Sequence, residues 1–172
     1  MKIFKRTARS VVGRYFLLMV PASVAWEFAQ MPLYTLWETG TRAEIGFAAL
    51  HCSVGDWLIT AGSLALAAAL AGNRAWPQQH YARVAALAVA FGLAYTLFSE
   101  WLNIEIRQSW AYSDAMPRLP LLGTGLSPVL QWLILPIAGF WWARRGFWSH
   151  MRPVAGDTNE PPRHQPPIDD RS

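Results

Sequence analysis

Charge is scarce in this chain. Asp, Glu, Lys and Arg make up 15% of its 172 residues, against about 25% in a typical soluble domain. Cysteine is almost absent. Cys52 is the only one, which excludes an intrachain disulfide and any cysteine-rich zinc motif. Neither a His-x-x-x-His nor a Cys-x-x-Cys pair occurs, so a transition-metal signature is missing as well. The run GTGLSP at 123–128 has the glycines of a phosphate loop but lacks its lysine and the strand that precedes it. No internal repeat is visible, which argues against a repeat array.

What the chain does have is apolar and aromatic. Hydrophobic residues make up 53%, with ten tryptophans, a residue that gathers at membrane–water interfaces. The net charge of +4 would also suit a nucleic-acid surface, but the basic residues flank apolar runs, so no nucleic-acid partner is expected. Residues 1–14 form a basic flank with Lys2, Lys5, Arg6, Arg9 and Arg14 and no acid. Four apolar stretches follow, at about 15–37, 46–71, 84–102 and 121–143. Each is long enough for a membrane core that needs about 20 residues.

The connections alternate in charge. Residues 38–45 and 103–120 carry no basic excess, whereas 72–83 and 144–152 are basic. The positive-inside rule then predicts an all-α, four-helix bundle in a bacterial inner (plasma) membrane, with both termini cytoplasmic and a long ordered loop outside. The organisation expected is a basic N-terminus at 1–14, a membrane domain at 15–152 and a tail at 153–172. Rich in proline and charge, that tail cannot bury a core and is expected to be disordered. Pro21 and Pro32 should kink the first span or leave carbonyls free. Ser23-Val24-Ala25 has the form of a signal-peptidase site. The apolar core before it is short and holds Pro21, and apolar sequence continues to Trp37, so retention of the span is expected.

Polar groups fall inside these spans. An acid at the bilayer centre costs roughly 2.5–3.5 kcal/mol on insertion scales, which makes intramembrane acids functional candidates. At the helical rise, Glu27, Asp56 and Gln131 each lie about 15 Å below the outer edge, in one layer. Gln30, His51 and Glu100 lie nearer the surface. Glu27, Gln30 and Tyr34 share a helix face, as do Cys52 and Asp56, while Thr96, Glu100 and Asn103 form a stripe that can continue to Arg107. His51 is turned well away from Asp56, and its neighbour Cys52 points about 100° from it, which is poor geometry for a Cys/His nucleophile. Taken singly, each group also suits plain interhelical hydrogen bonding, and Glu100 suits pairing with Arg107 at the interface.

Glu27, Asp56 and Glu100 are thus the candidate catalytic residues. His51, Gln30, Gln131, Trp101, Trp110 and Tyr112 are candidate ligand contacts, the aromatics reading first as interfacial anchors. A hard or borderline divalent ion on Glu27, Asp56, Glu100 and His51 is conceivable, as is proton relay; no cofactor is specified. The run FSEWLNIEIRQSWAYS, continuing to LPLLGTGLSPVLQW, resembles small uncharacterised multi-pass proteins of bacterial inner membranes, a resemblance that implies no activity. Glu100-Trp101 and Trp110-Ala111-Tyr112 resemble motifs of membrane-embedded carotenoid cyclases and hydratases. They are also similar to those of the four-span sterol-isomerase-like group, which uses intramembrane acids on isoprenoid cations. No catalytic residue is carried over from either.

The function expected is a small membrane binding or accessory protein with an outward-facing polar pocket. The alternatives are an enzyme acting on an isoprenoid-like lipid by acid–base chemistry, or a subunit of an oligomeric transporter. Membrane lipids, a second copy of the chain or another membrane protein are the partners expected.

Overall fold

The structure, a computed structural model, describes residues 2–149; the tail at 153–172 lies outside the described residues. Helix α1 (Lys2–Gln30) runs through Pro21. A proline inside a helix removes one donor without ending it when neighbouring turns hold. The chain leaves the helix at Pro32, in a tight turn over Met31–Leu33. There the Pro32 carbonyl accepts the Ser113 hydroxyl at 3.2 Å. A single-turn helix α2 (Leu36–Thr39) follows.

Helix α3 (Arg42–Ala71) begins at Arg42 rather than Gly46, because Thr41 and Glu44 close a capping box. The Glu44 N–H reaches Thr41 Oγ1 at 3.3 Å, and the Thr41 N–H reaches Glu44 Oε2 at 2.8 Å, which satisfies two donors at the helix start. Helix α4 (Tyr81–Trp101) widens into a π turn over Leu102–Ile106. Helix α5 (Leu126–Ser149) starts at Leu126 rather than Leu121. The apolar pair Leu121-Leu122 sits in a turn instead. That turn is closed by the Gly123 N–H on the Leu119 carbonyl at 2.9 Å, with Gly123 at φ 66°, a conformation glycine adopts without steric cost.

The described chain is mostly helical, and it contains no strand. Four helices are long and apolar enough to cross a membrane. They pack in a ring, α1 against α3 and α5, and α4 against α3 and α5, so opposite helices face each other across the bundle axis. The segments 31–41 and 107–125 lie at one end, the loop end; the start of α1, the end of α5 and the 72–80 connection lie at the other.

The half nearer the termini is closed by close packing. Val11, Tyr15, Leu64, Ala67, Val84, Ala88, Phe140 and Ala143 form one buried cluster there, with Tyr15 stacked on Phe140 at 4.2 Å. Arg14 sits over Trp142, Arg144 over Tyr81 and Arg145 over Trp141. A second buried cluster, Tyr34, Tyr112 and Met116, fastens the long loop at the loop end. The outer faces expose large apolar side chains, among them Leu17, Phe47, Leu58 and Leu70. Water disfavours such a surface and hydrocarbon accepts it.

Candidate functional site

Each of the four long helices turns a polar side chain inward onto one cavity. Glu27 of α1, Asp56 of α3, Glu100 of α4 and Gln131 of α5 are all buried, none more than 8% exposed. The opposite helices α3 and α5 are joined directly, Gln131 Nε2 donating to Asp56 Oδ2 at 2.6 Å. The Glu27 and Asp56 carboxyls are neighbours on adjacent helices, each facing the Gln131 side.

On α1 the chain of contacts continues upward. Gln30 Nε2 donates to Glu27 Oε1 at 2.9 Å, and Ser127 Oγ donates to Gln30 Oε1 at 2.8 Å. Trp26 Nε1 then donates to Ser127 Oγ at 3.2 Å. The shared face of Glu27 and Gln30 thus fixes the entry of α5 to the upper half of α1.

Glu100 is held differently. It takes its hydrogen bond from the Tyr112 hydroxyl, not from Arg107. Tyr112 in turn accepts the Gly125 N–H at 2.8 Å. This approach requires glycine: a Cβ at Gly125 would lie 2.9 Å from both Tyr112 Cε1 and Met116 Sδ. Arg118 covers the Tyr112 ring at 5.2 Å, and Tyr34 packs beside it at 5.5 Å. Burial, and then the adjacent Glu100 carboxylate, holds the Tyr112 hydroxyl well above the ordinary phenol range, so it is a permanent donor. Backbone bonds complete the fastening. The Thr35 N–H donates to the Ala111 carbonyl, and the Ser113 N–H to the Leu33 carbonyl, each at 3.0 Å.

Beside this polar layer lies a cavity of about 620 Å³. Glu27, Asp56, Glu100 and Gln131 all line it. Its walls are apolar: Gly55, Ile59, Gly62 and Leu66 along one face of α3, Phe91 and Tyr95 along α4, and Trp132 from α5. Trp132 is wedged against α4 where Gly92 leaves room, since a Cβ there would lie 2.3 Å from its ring. The flanking Leu58 and Tyr95 are 69% and 52% exposed, so the cavity faces sideways between α3 and α4 as well as toward the loop end. Below it the packed cluster of the terminal half closes the bundle.

The residues named from the sequence separate here. Glu27, Asp56, Glu100, Gln30 and Gln131 converge. Thr96, Asn103, Arg107 and Trp110 also line the cavity. His51 lies at its rim, exposed and stacked on Phe47 at 5.7 Å. Among the described residues no three His, Cys, Asp or Glu side chains stand close enough to hold a metal ion, so the set Glu27, Asp56, Glu100 and His51 is not assembled. Trp101 is absent from the cavity wall and is 48% exposed, one residue's rotation having turned it from Glu100. Tyr112 is not an interfacial anchor but the buried partner of Glu100. Composition and span depth did not single out Ser127 or Trp26 for this network, nor Trp132 as a wall. The available signal was an i, i+4 spacing: Trp26 lies four residues before Gln30, and Ser127 four before Gln131.

Among the described residues, fold and site define an all-helical bundle, apolar outside, with an acid-lined cavity open to the side and the loop end. Compared with protein-family models, curated proteins and solved structures, the chain matches none.

Proposed function

We propose that this protein is a small multi-pass protein of a bacterial inner membrane that binds an apolar or amphipathic molecule in the cavity between α1, α3, α4 and α5. The observation that carries this role is the form of the cavity. A polar layer lies toward its loop end, apolar walls run from that layer toward the closed terminal half, and its side faces the surface where lipid would lie. Pockets of roughly 300–1,000 Å³ with apolar walls and a few convergent polar groups are the usual form of small-molecule sites.

The orientation that fits is both termini in the cytoplasm and the long loop outside. Arg14, Arg144 and Arg145 on aromatic rings would then sit at the cytoplasmic interface. A second role, acid–base catalysis on an isoprenoid-like lipid, is favoured by one specific observation: Glu27, Asp56 and Glu100 meet beside an apolar cavity. The closed terminal half speaks against a transport pathway through one copy of the bundle.

Gly55 and Gly62 offer a direct test. Both line the cavity, and a Cβ at either meets nothing within 4 Å. Gly55→Phe and Gly62→Phe should therefore fill the cavity without breaking the bundle. Native mass spectrometry of the wild-type protein, released from its own membrane, should show a bound small hydrophobic molecule that both variants lack. Equal adducts on all three proteins, or none on the wild type, would refute the binding role.

A further inference from the structure

We propose that the cavity takes a neutral alcohol: a long-chain or polycyclic apolar molecule whose single hydroxyl sits between Thr96, Glu100 and Trp110. This deepens, and rests on, the binding role proposed above. Three observations carry it. Thr96 is 6% exposed and lines the cavity, yet its hydroxyl has no hydrogen-bond partner. A threonine inside a helix commonly returns its hydroxyl to a carbonyl of the preceding turn; this one does not. Trp110 Nε1 is likewise buried on the cavity wall; it lies near the Glu100 carboxyl but makes no well-aligned hydrogen bond to it or to any other group. Glu100 is one helical turn from Thr96, and Tyr112 occupies one of its oxygens, Oε2.

These groups specify a head by what they need. The indole N–H donates only, so the head must accept. Tyr112 donates to Oε2 of Glu100, which leaves the other oxygen as an unfilled acceptor, so the head must also donate. An ammonium has three donors and no acceptor, and would leave the indole unsatisfied. A phosphate or carboxylate would bring negative charge to a site lined by three acids, with only Arg107 at its margin. A hydroxyl donates once and accepts twice, which matches Glu100, Trp110 and Thr96 together. The volume suits one drug-sized molecule rather than a two-chain phospholipid. Below the head, Phe91, Ile59 and Leu66 give the apolar body its wall.

The test uses the full chain in lipid nanodiscs and four C16 probes, each with a diazirine near the chain end. They differ only in the head: hydroxyl, ammonium, phosphate or plain methyl. Photolabelling mapped by peptide mass spectrometry should place the alcohol probe on α3 and α4 at the lowest concentration. Thr96→Val and Trp110→Phe should each weaken alcohol labelling about fivefold, the size of one hydrogen bond, and leave methyl-headed labelling unchanged. Competition by unlabelled hexadecanol or by cholesterol tells a flexible chain from a rigid ring system; competition by neither overturns the proposal. Equal labelling by the ammonium or phosphate probe, or no effect of both variants, overturns the alcohol head while leaving a binding cavity. Failure of every probe to label the cavity walls refutes the binding role itself.

Discussion

Replacing Tyr112 by Phe removes one oxygen and keeps the ring. The ring packing on Tyr34 and under Arg118 therefore survives, and no large cavity forms. Two groups lose their partner: the Gly125 N–H, bonded at 2.8 Å, and the Glu100 carboxyl. A buried donor left unsatisfied costs about 1–3 kcal/mol, and a charged acceptor somewhat more. Glu100 also lines the cavity, so water can replace part of its loss. The expected total is about 2–4 kcal/mol. For a chain of this length that corresponds to a fall in melting temperature of roughly 5–15 °C. The assay is thermal unfolding of purified Tyr112→Phe in one fixed detergent, with Tyr95→Phe as the control. Tyr95 is 52% exposed, and its hydroxyl should change stability by no more than about 0.5 kcal/mol. A Tyr112→Phe melting temperature within about 2 °C of wild type would refute the role given to Tyr112 as the fastening between loop and bundle.

Gly125→Ala should destabilise by about 1–3 kcal/mol, because its Cβ meets Tyr112 and Met116 at 2.9 Å; denaturation in mixed micelles measures it. Thr41→Ala breaks the capping box of α3 and should cost about 1 kcal/mol, read as a small fall in melting temperature, while Thr41→Ser should recover most of it. In a Cys52→Ser background, Arg42→Cys and Asp114→Cys should react with an impermeant thiol reagent in intact cells and Arg74→Cys should not. Labelling at position 74 from outside would reverse the proposed orientation.

Much of the site could be read from helical phase. Spacing alone put Glu27 and Gln30 on one face and Thr96, Glu100 and Asn103 on another, and each face lines the cavity. Counting residues down each span put Glu27, Asp56 and Gln131 at one depth, and they do meet. Phase and rise are local, and inside long helices they are reliable. The failures lie where the chain stops being helical. Tyr112 is only 12 residues from Glu100, but it returns to it through a π turn and a left-handed Gln108 at φ 51°, a path no periodicity encodes. Leu121 and Leu122 read as helix because they are apolar, yet Gly123 makes them a turn. The start of α3 was legible: Thr41-x-x-Glu44 is a capping-box signature, and it places the helix start at Arg42. Trp101 stays off the cavity wall because its neighbour Glu100 faces inward, and adjacent helical residues do not share a face.

The central claim is that the inward acids make a binding site and are more than interhelical glue. The measurement that addresses it most directly is ligand occupancy by native mass spectrometry, taken with melting temperature, for Glu27→Gln, Asp56→Asn and the double variant. The amides keep shape and hydrogen-bonding capacity, so the fold should persist and the melting temperature should move little. Each single substitution should empty the cavity, and the double variant should lose little more than either single, as residues of one joint site do. Full occupancy with a lowered melting temperature in both single variants would contradict the claim and leave Glu27 and Asp56 as structural hydrogen-bonding groups.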